Sequence, residues 1–157
     1  VLPLSAQGLS HTQIGLFGLA GIAGALAASK AGHWADRGAA QRVTGVSLAL
    51  LLFAWAPIAR AETSLPLLVI GVIILDFAVQ AVHVTNQSLI FAARPDAQSR
   101  LVGAYMCFYS VGSALGAVVA TQCYAHWGWN AVCLAGAGIS AAALFFWLGL
   151  QKRSPVR

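Results

Sequence analysis

Five polar side chains interrupt an apolar stretch in the middle of the chain. All of them belong to the segment LDFAVQAVHVTNQ (residues 75–87): Asp76, Gln80, His83, Asn86 and Gln87. All but Asn86 are spaced i, i+4, i+7 and i+11, so on a helix they lie on one face, with Asn86 beside it. A carboxyl group and an imidazole can take up and release protons, and amides can bind polar groups. The spacing therefore predicts a polar stripe that carries protons, binds a polar molecule or holds the helix against its neighbours.

The elements that position this stripe are predicted to be membrane-spanning helices. Of the 157 residues, 59% are hydrophobic and 8% are charged, with a mean hydropathy of +0.78, whereas soluble domains carry about 25% charged residues. Five runs with few or no charges are about as long as, or longer than, the roughly 20 residues that cross a bilayer: Gln13–Gly32, Val43–Arg60, Ser64–Ala93, Leu101–Tyr124 and Trp129–Leu150. None alternates with period two, and a helix satisfies its own backbone in lipid. The sequence predicts an all-α, polytopic bundle of five transmembrane helices.

Basic residues concentrate in alternate breaks between these helices. The first break, the third break and the tail hold most of them: Lys30, Arg37 and Arg42; Arg94 and Arg100; Lys152, Arg153 and Arg157. The second break pairs Arg60 with Glu62, and the fourth holds only His126. The positive-inside rule places the basic breaks and the C-terminus in the cytoplasm. The net charge of +5 is thus an orientation signal, and no nucleic-acid partner is expected.

The ends of the chain divide it further. Residues 1–12 lack an initiator Met, a basic segment and a cleavage-type segment, which is typical of the remnant of a periplasmic loop. Residues 13–150 then form a C-terminal half-bundle of five helices, and residues 151–157 form a cytoplasmic basic tail. We expect the chain to be the C-terminal part of a longer multi-span protein.

The other chemistry-bearing residues argue against an intramembrane enzyme. The three cysteines have no C-x-x-C spacing, the four histidines are scattered, and the chain lacks a G-x-S-x-G motif, a P-loop and paired carboxylates. We therefore expect no enzymatic activity, no metal and no cofactor.

Two further patterns concern how the helices pack and anchor. Small residues that permit close helix approach recur in the first and fourth helices: Gly15, Gly18, Gly21 and Gly24, and then Gly112 and Gly116. They favour tight packing, or seams that slide as the protein changes state. Tyr124, Trp127 and Trp129 are typical of an aromatic belt at the outer interface.

The first break, GHWADRGAAQR (residues 32–42), resembles the loop motif of the major facilitator superfamily, G-x-x-x-D-R-x-G-R-R. Four residues match it: Gly32, Asp36, Arg37 and Arg42. Gly38 lies one position earlier than the second glycine of the motif, and residues 39–41 are uncharged, so the basic cluster has fewer members than in the motif. In that family the motif recurs after the eighth helix in a degenerate form. The five predicted helices thus resemble helices eight to twelve of a twelve-helix transporter, and HVTNQSLIFAARPDAQSRLVGAYMCFYSVGSALGA is similar to helices ten and eleven of bacterial efflux-type members.

This resemblance implies a secondary transporter of the bacterial inner membrane. Such proteins move a small molecule by alternating access between two six-helix halves, with the substrate near midplane. It implies proton-coupled efflux, a missing N-terminal half as partner, and a cytoplasmic latch that includes Asp36. The alternative from another class is a non-transporting membrane scaffold or assembly subunit.

The depth of Asp76 leaves two interpretations open. Counted at 1.5 Å per residue from Ser64, it lies about 18 Å along its helix, near the middle of a ~30 Å hydrocarbon core. Facing lipid there would cost about 2.5–3.5 kcal/mol, so the side chain should face the bundle or a wet cavity. One interpretation is structural: Asp76 is protonated, or bonded to a donor of the fourth helix. The candidate donors are Tyr105, Tyr109 and Ser110. The other is that Asp76 takes a coupling proton or binds a polar or cationic substrate group.

Overall fold

The computed structural model describes residues 20–61, 63–93 and 95–153, and its regular elements are all helical. Helix α1 spans Ala20–Trp34, a π-helical turn spans Ala35–Ala39, α2 spans Ala40–Ile58, α3 spans Leu65–Ala93, a 3-10 turn spans Pro95–Ala97, and α4 spans Gln98–Arg153. No strand occurs among these described residues. The prediction of an all-α chain is confirmed.

Three helical stretches in the described part of the chain are long and apolar enough to cross a membrane: Ala28–Ile58, Pro66–Ala93 and Gln98–Lys152. The prediction of five transmembrane helices is therefore not confirmed. The difference arises at the first and fourth breaks, where helix continues on both sides of a single glycine. Gly38 has φ 85° and Gly128 has φ 76°, a left-handed conformation that glycine adopts without a steric penalty. The loops expected there are thus reduced to glycine kinks.

Close contacts at glycines show how the first three helices run. Gly24 and Gly32 of α1 lie against Asp76 and Val84 of α3 in the same order, so α1 and α3 are parallel. Gly71, near the start of α3, lies against Ile58 at the end of α2. Helix α2 therefore runs antiparallel to both, and the chain turns back at the π-helical turn.

Helix α4 also changes direction. Tyr105 bonds to His83 near the C-terminal end of α3, and Trp147 lines one cavity with Asn86 from the same end of α3. In a straight α-helix, Tyr105 and Trp147 would be about 63 Å apart. The two parts of α4 therefore run in opposite directions on either side of Gly128.

The helices approach closely because the residues between them are small. Most of the buried hydrophobic residues are alanines, among them Ala28, Ala54, Ala78 and Ala81, as expected for helices that associate in lipid. One cluster lies at the end opposite the π-helical turn and consists of Ala54, Ile58, Ala61, Leu68 and Cys133. Helix α3 is thereby held against α1 and α2, with the first part of α4 beside its C-terminal half.

Candidate functional site

The Asp76 carboxyl lies in the seam between α3 and α1. A methyl group added at Gly24 would overlap Asp76 Oδ2, and one added at Gly21 would lie 4.0 Å from the same oxygen. Gly24 thus packs against a polar side chain at a distance that only a residue without a side chain allows, whereas Gly21 lies at an ordinary contact distance from the same carboxyl. Gly15 and Gly18 lie outside the described residues.

The Oδ2 atom of Asp76 is buried and has no hydrogen-bond partner within the described structure. A buried polar atom without a partner costs about 1–3 kcal/mol, and a charged one costs more. A cost of this size at the one carboxyl of the polar stripe marks Asp76 as the candidate functional residue.

The structure does not join Asp76 to the donors that the sequence suggested. Tyr105 and Tyr109 lie instead around the His83 ring, with centroids 5.3 Å and 4.9 Å from it. The structural interpretation of Asp76 therefore finds no support from these two candidate donors. The reason is that α4 meets α3 near its C-terminal end, about two helical turns beyond Asp76.

Gln80, one turn beyond Asp76, lines a wide groove between α1 and α3. The groove has a volume of about 510 Å³ and opens at the end of the bundle that carries the π-helical turn. Ser29, His33 and Asp36 supply its other polar lining. Asp76 and Gln80 thus both face α1.

His83 takes part in a hydrogen-bonded group between α3 and α4. Its Nδ1 lies 2.9 Å from the Tyr105 hydroxyl, and its Nε2 lies 3.1 Å from Gln87 Nε2. An amide nitrogen only donates, so His83 Nε2 accepts and the Nδ1–H donates to Tyr105. Asn86 also interacts with the Tyr105 hydroxyl. Both ring nitrogens of His83 are thereby engaged.

The predicted polar stripe is therefore divided between two seams. Asp76 and Gln80 face α1, whereas His83, Asn86 and Gln87 face α4. Helical periodicity alone places these side chains on one face of α3, and the neighbours on either side of that face separate them.

The loop-motif residues lie together at one end of the bundle. Gly32 allows close approach to α3, because a Cβ there would lie 3.1 Å from Val84 Cγ1. Asp36, Arg37 and Arg42 are exposed, and Gly38 supplies the left-handed turn. The early position of this glycine coincides with the sharp turn into α2. The latch assigned to Asp36 stays a prediction.

The glycine pair of α4 has no neighbour in the described part of the chain. A Cβ added at Gly112 or at Gly116 would meet no atom within 4 Å. The residues around them are exposed, including Phe108 at 80% and Leu115 at 62%. Tight packing at Gly112 and Gly116 stays a prediction, because no described residue of another helix lies against them.

A second set of close contacts, between α2 and the last part of α4, was missed in the sequence. Two tryptophan rings cover glycines, Trp55 over Gly136 and Trp147 over Gly45. Indole N–H groups also bridge the helices, since Trp55 Nε1 donates to Ser140 Oγ at 3.1 Å. The sequence signal that could have predicted these contacts is the presence of tryptophans and single glycines in two apolar runs that pack in opposite directions.

Trp129 belongs to the same seam. Its Nε1 donates to the Ile58 carbonyl oxygen at 3.0 Å, so it contributes more than membrane anchoring. Trp127 is 72% exposed, in keeping with a position in an aromatic belt. Among the residues described, no group of three His, Cys, Asp or Glu side chains could hold a metal ion.

Comparison with known proteins identifies relatives. The model of the Major Facilitator Superfamily matches residues 1–157. Two Escherichia coli proteins, from strains K12 and O157:H7, named as uncharacterized transporter YgaY, are 47% identical over 120 residues, covering 76% of this chain and 30% of theirs. "Probable transporter SCO4007" of Streptomyces coelicolor is 31% identical over 131 residues, covering 83% of this chain and 30% of its own. The chain thus spans about 30% of the length of these relatives. No solved structure matches.

Proposed function

Because the chain belongs to the Major Facilitator Superfamily, we propose that it is the C-terminal part of a secondary transporter that exports a small molecule in exchange for protons. Alternating access would arise from rocking against an N-terminal half. The observation that carries the proposal is the Asp76 carboxyl, held in the α1–α3 seam with one oxygen buried and unpaired. The proposal includes no enzymatic step and no cofactor.

The proposed topology has five spans, three of them supplied by α1, α2 and α3. Reversal of the chain at Gly38 and Gly128 supports this count, because each glycine kink separates antiparallel stretches. The part of α4 before Gly128 and the part after it each exceed the roughly 20 residues that span a bilayer.

The proposed location is the inner membrane, with the C-terminus in the cytoplasm. The π-helical turn and the end of α4 lie at the same end of the bundle, since Trp147 Nε1 donates to Gln41 Oε1 at 3.1 Å. That end carries Arg37, Arg42 and Lys152, which the positive-inside rule places in the cytoplasm.

The proposed partner is the N-terminal half of the same transporter. Residues 103–119 of α4 are exposed almost throughout, and the family relatives are about three times longer than the matched region. An apolar face of this size in a membrane protein requires lipid or another helix as a neighbour. The position of α4 beside the polar stripe favours the other half, because a central cavity would then form between them.

Asp76→Asn tests the proposal in the complete polypeptide that contains this chain. The protein is reconstituted in vesicles with an internal pH indicator, and candidate small molecules are added with and without a proton gradient. We expect the variant to insert normally and to lose proton-coupled flux, because an amide cannot release a proton. Asp96→Asn, in the exposed 3-10 turn, is the matched control and should retain flux. Normal proton-coupled transport by Asp76→Asn would refute the coupling role.

A further inference from the structure

The groove between α1 and α3 ends one helical turn from Asp76. On α3, Gln80 lines the groove and Asp76 lies about 6 Å further along the helix. On α1, Ala25 lines the groove and its neighbour Gly24 contacts the Asp76 carboxyl. On both helices, therefore, the lining of the groove ends within about one helical turn of the residues that bury the carboxyl oxygen.

We propose that this α1–α3 groove is the route by which a proton passes between Asp76 and the cytoplasmic side. The inference rests on the proposed function, in which Asp76 is the coupling acid. It adds a path that involves only α1 and α3, with its mouth at His33 and Asp36 beside the π-helical turn.

The groove has the size and the lining that a water-borne proton needs. At about 30 Å³ per water, 510 Å³ holds more than ten water molecules. The Gln80 amide offers donors and an acceptor that orient water next to Asp76. The Asp76 O–H bond breaks, the carboxylate keeps the electron pair, and a groove water accepts the proton and passes it to bulk water. Rebinding reverses these steps.

Contact with Gly24 keeps the route closed at its inner end. The carboxyl oxygen is buried against this glycine, so water reaches Asp76 only when α1 and α3 move apart by about the width of a water molecule. The absence of a side chain at Gly24 is what lets the seam close so completely.

The α4 side of the polar stripe is less suited to carry a proton to or from Asp76 than the α1–α3 groove. The ionisable groups on the helices packed around α3 include Lys30 and His33 on α1, Asp36 in the π-helical turn, Arg42 on α2, and Tyr105 and Tyr109 on α4, with His83 on α3 itself. Both ring nitrogens of His83 are already hydrogen-bonded, to Tyr105 and Gln87. The two amides of the stripe, Gln80 and Gln87, therefore distinguish the two routes.

The test measures hydrogen–deuterium exchange of the Asp76 carboxyl in the complete polypeptide in lipid vesicles. Infrared difference spectra after transfer to D2O follow the carboxyl C=O band, and Asp76→Asn identifies it by its loss. We expect Gln80→Leu to slow exchange about tenfold, equal to ~1.4 kcal/mol of barrier. Gln122→Leu, at an exposed position of α4, is the control and should leave the rate unchanged, and Gln87→Leu, on the α4 side, should slow exchange less than Gln80→Leu does.

A second variant fills the groove without disturbing the core. Ala25 is exposed and lines the groove, so Ala25→Leu adds volume there without overpacking, and it should also slow exchange. Unchanged exchange in both Gln80→Leu and Ala25→Leu, or equal slowing by Gln87→Leu, would overturn the route. If the route fails while Asp76→Asn still abolishes coupled flux, the proposed function stands. If Asp76→Asn transports normally, the coupling role fails whatever the exchange rates show.

Discussion

Replacing Gly24 with alanine adds one methyl group at the closest contact between α1 and α3. The new Cβ would overlap Asp76 Oδ2 and lie 3.1 Å from its Cγ. The nearest backbone atom of Asp76, the carbonyl carbon, would be 3.6 Å away, an ordinary van der Waals distance. The carboxyl group must therefore rotate away, or the two helices must separate, and the seam that buries the carboxyl oxygen is lost.

Overpacking of this kind costs about 1–3 kcal/mol in the free energy of unfolding. For a chain of this size, 1 kcal/mol lowers the melting temperature by about 2–4 °C, so we expect Gly24→Ala to melt about 2–12 °C below Gly21→Ala. Circular dichroism of the protein in detergent micelles measures it. Gly21→Ala is the matched reference, because its Cβ would lie 4.0 Å from the same oxygen and because it gains the same helix propensity, roughly 1 kcal/mol, as Gly24→Ala.

A double-mutant cycle assigns the cost to the carboxyl. In the Asp76→Ala background the overlapping atoms are absent, so Gly24→Ala should cost little, and the coupling energy should fall within the 0.5–3 kcal/mol typical of contacting residues. Equal melting temperatures for Gly24→Ala and Gly21→Ala would refute the reasoning. So would a penalty that persists when Asp76 is alanine.

Two further predictions concern the other seams. Gly136→Ala should destabilise the chain by about 1–3 kcal/mol, because its Cβ would overlap the Trp55 ring, whereas Gly138→Ala meets no atom within 4 Å; equal thermal unfolding of the two variants would contradict this. Tyr105→Phe should cost about 0.5–1.5 kcal/mol through loss of the 2.9 Å hydrogen bond to His83, while Tyr109→Phe keeps the ring contact at 4.9 Å and serves as control. Thermal unfolding measures both, and nitrogen NMR of His83 should show a changed tautomer balance in Tyr105→Phe alone; an unaltered His83 spectrum would contradict the assigned bond.

Hydrophobic runs predicted the helices well where the chain leaves them by an ordinary loop. The third run, Ser64–Ala93, differs by one residue at its start from α3, Leu65–Ala93. The runs placed the fourth break at residues 125–128, where the structure has the non-helical Gly128, but they did not predict that a single glycine, and no loop, separates the two parts of α4. Hydropathy indicates whether a segment favours lipid or water, whereas a kink depends on the backbone conformation of one residue.

The glycines show the same limit at the level of the site. Gly24 and Gly112 belong to similar small-residue patterns, yet one contacts Asp76 and the other has no neighbour within 4 Å. Trp55 and Gly136 are 81 positions apart in sequence, and only the antiparallel packing of α2 and α4 brings them together. Spacing along one helix carries no information about which neighbour it meets.

Composition, a short loop motif and the 3.6-residue repeat can all be recognised locally along the chain, and they indicated the membrane class, the family resemblance, the apolar helices and the polar face of α3. Only the packing of the helices shows that Asp76 and Gln80 face α1 while His83 and Gln87 face α4. It also showed the Asp76 carboxyl oxygen to be buried and unpaired against Gly24. These features depend on which helices pack on either side of α3, and that choice is made by contacts between residues far apart in the chain.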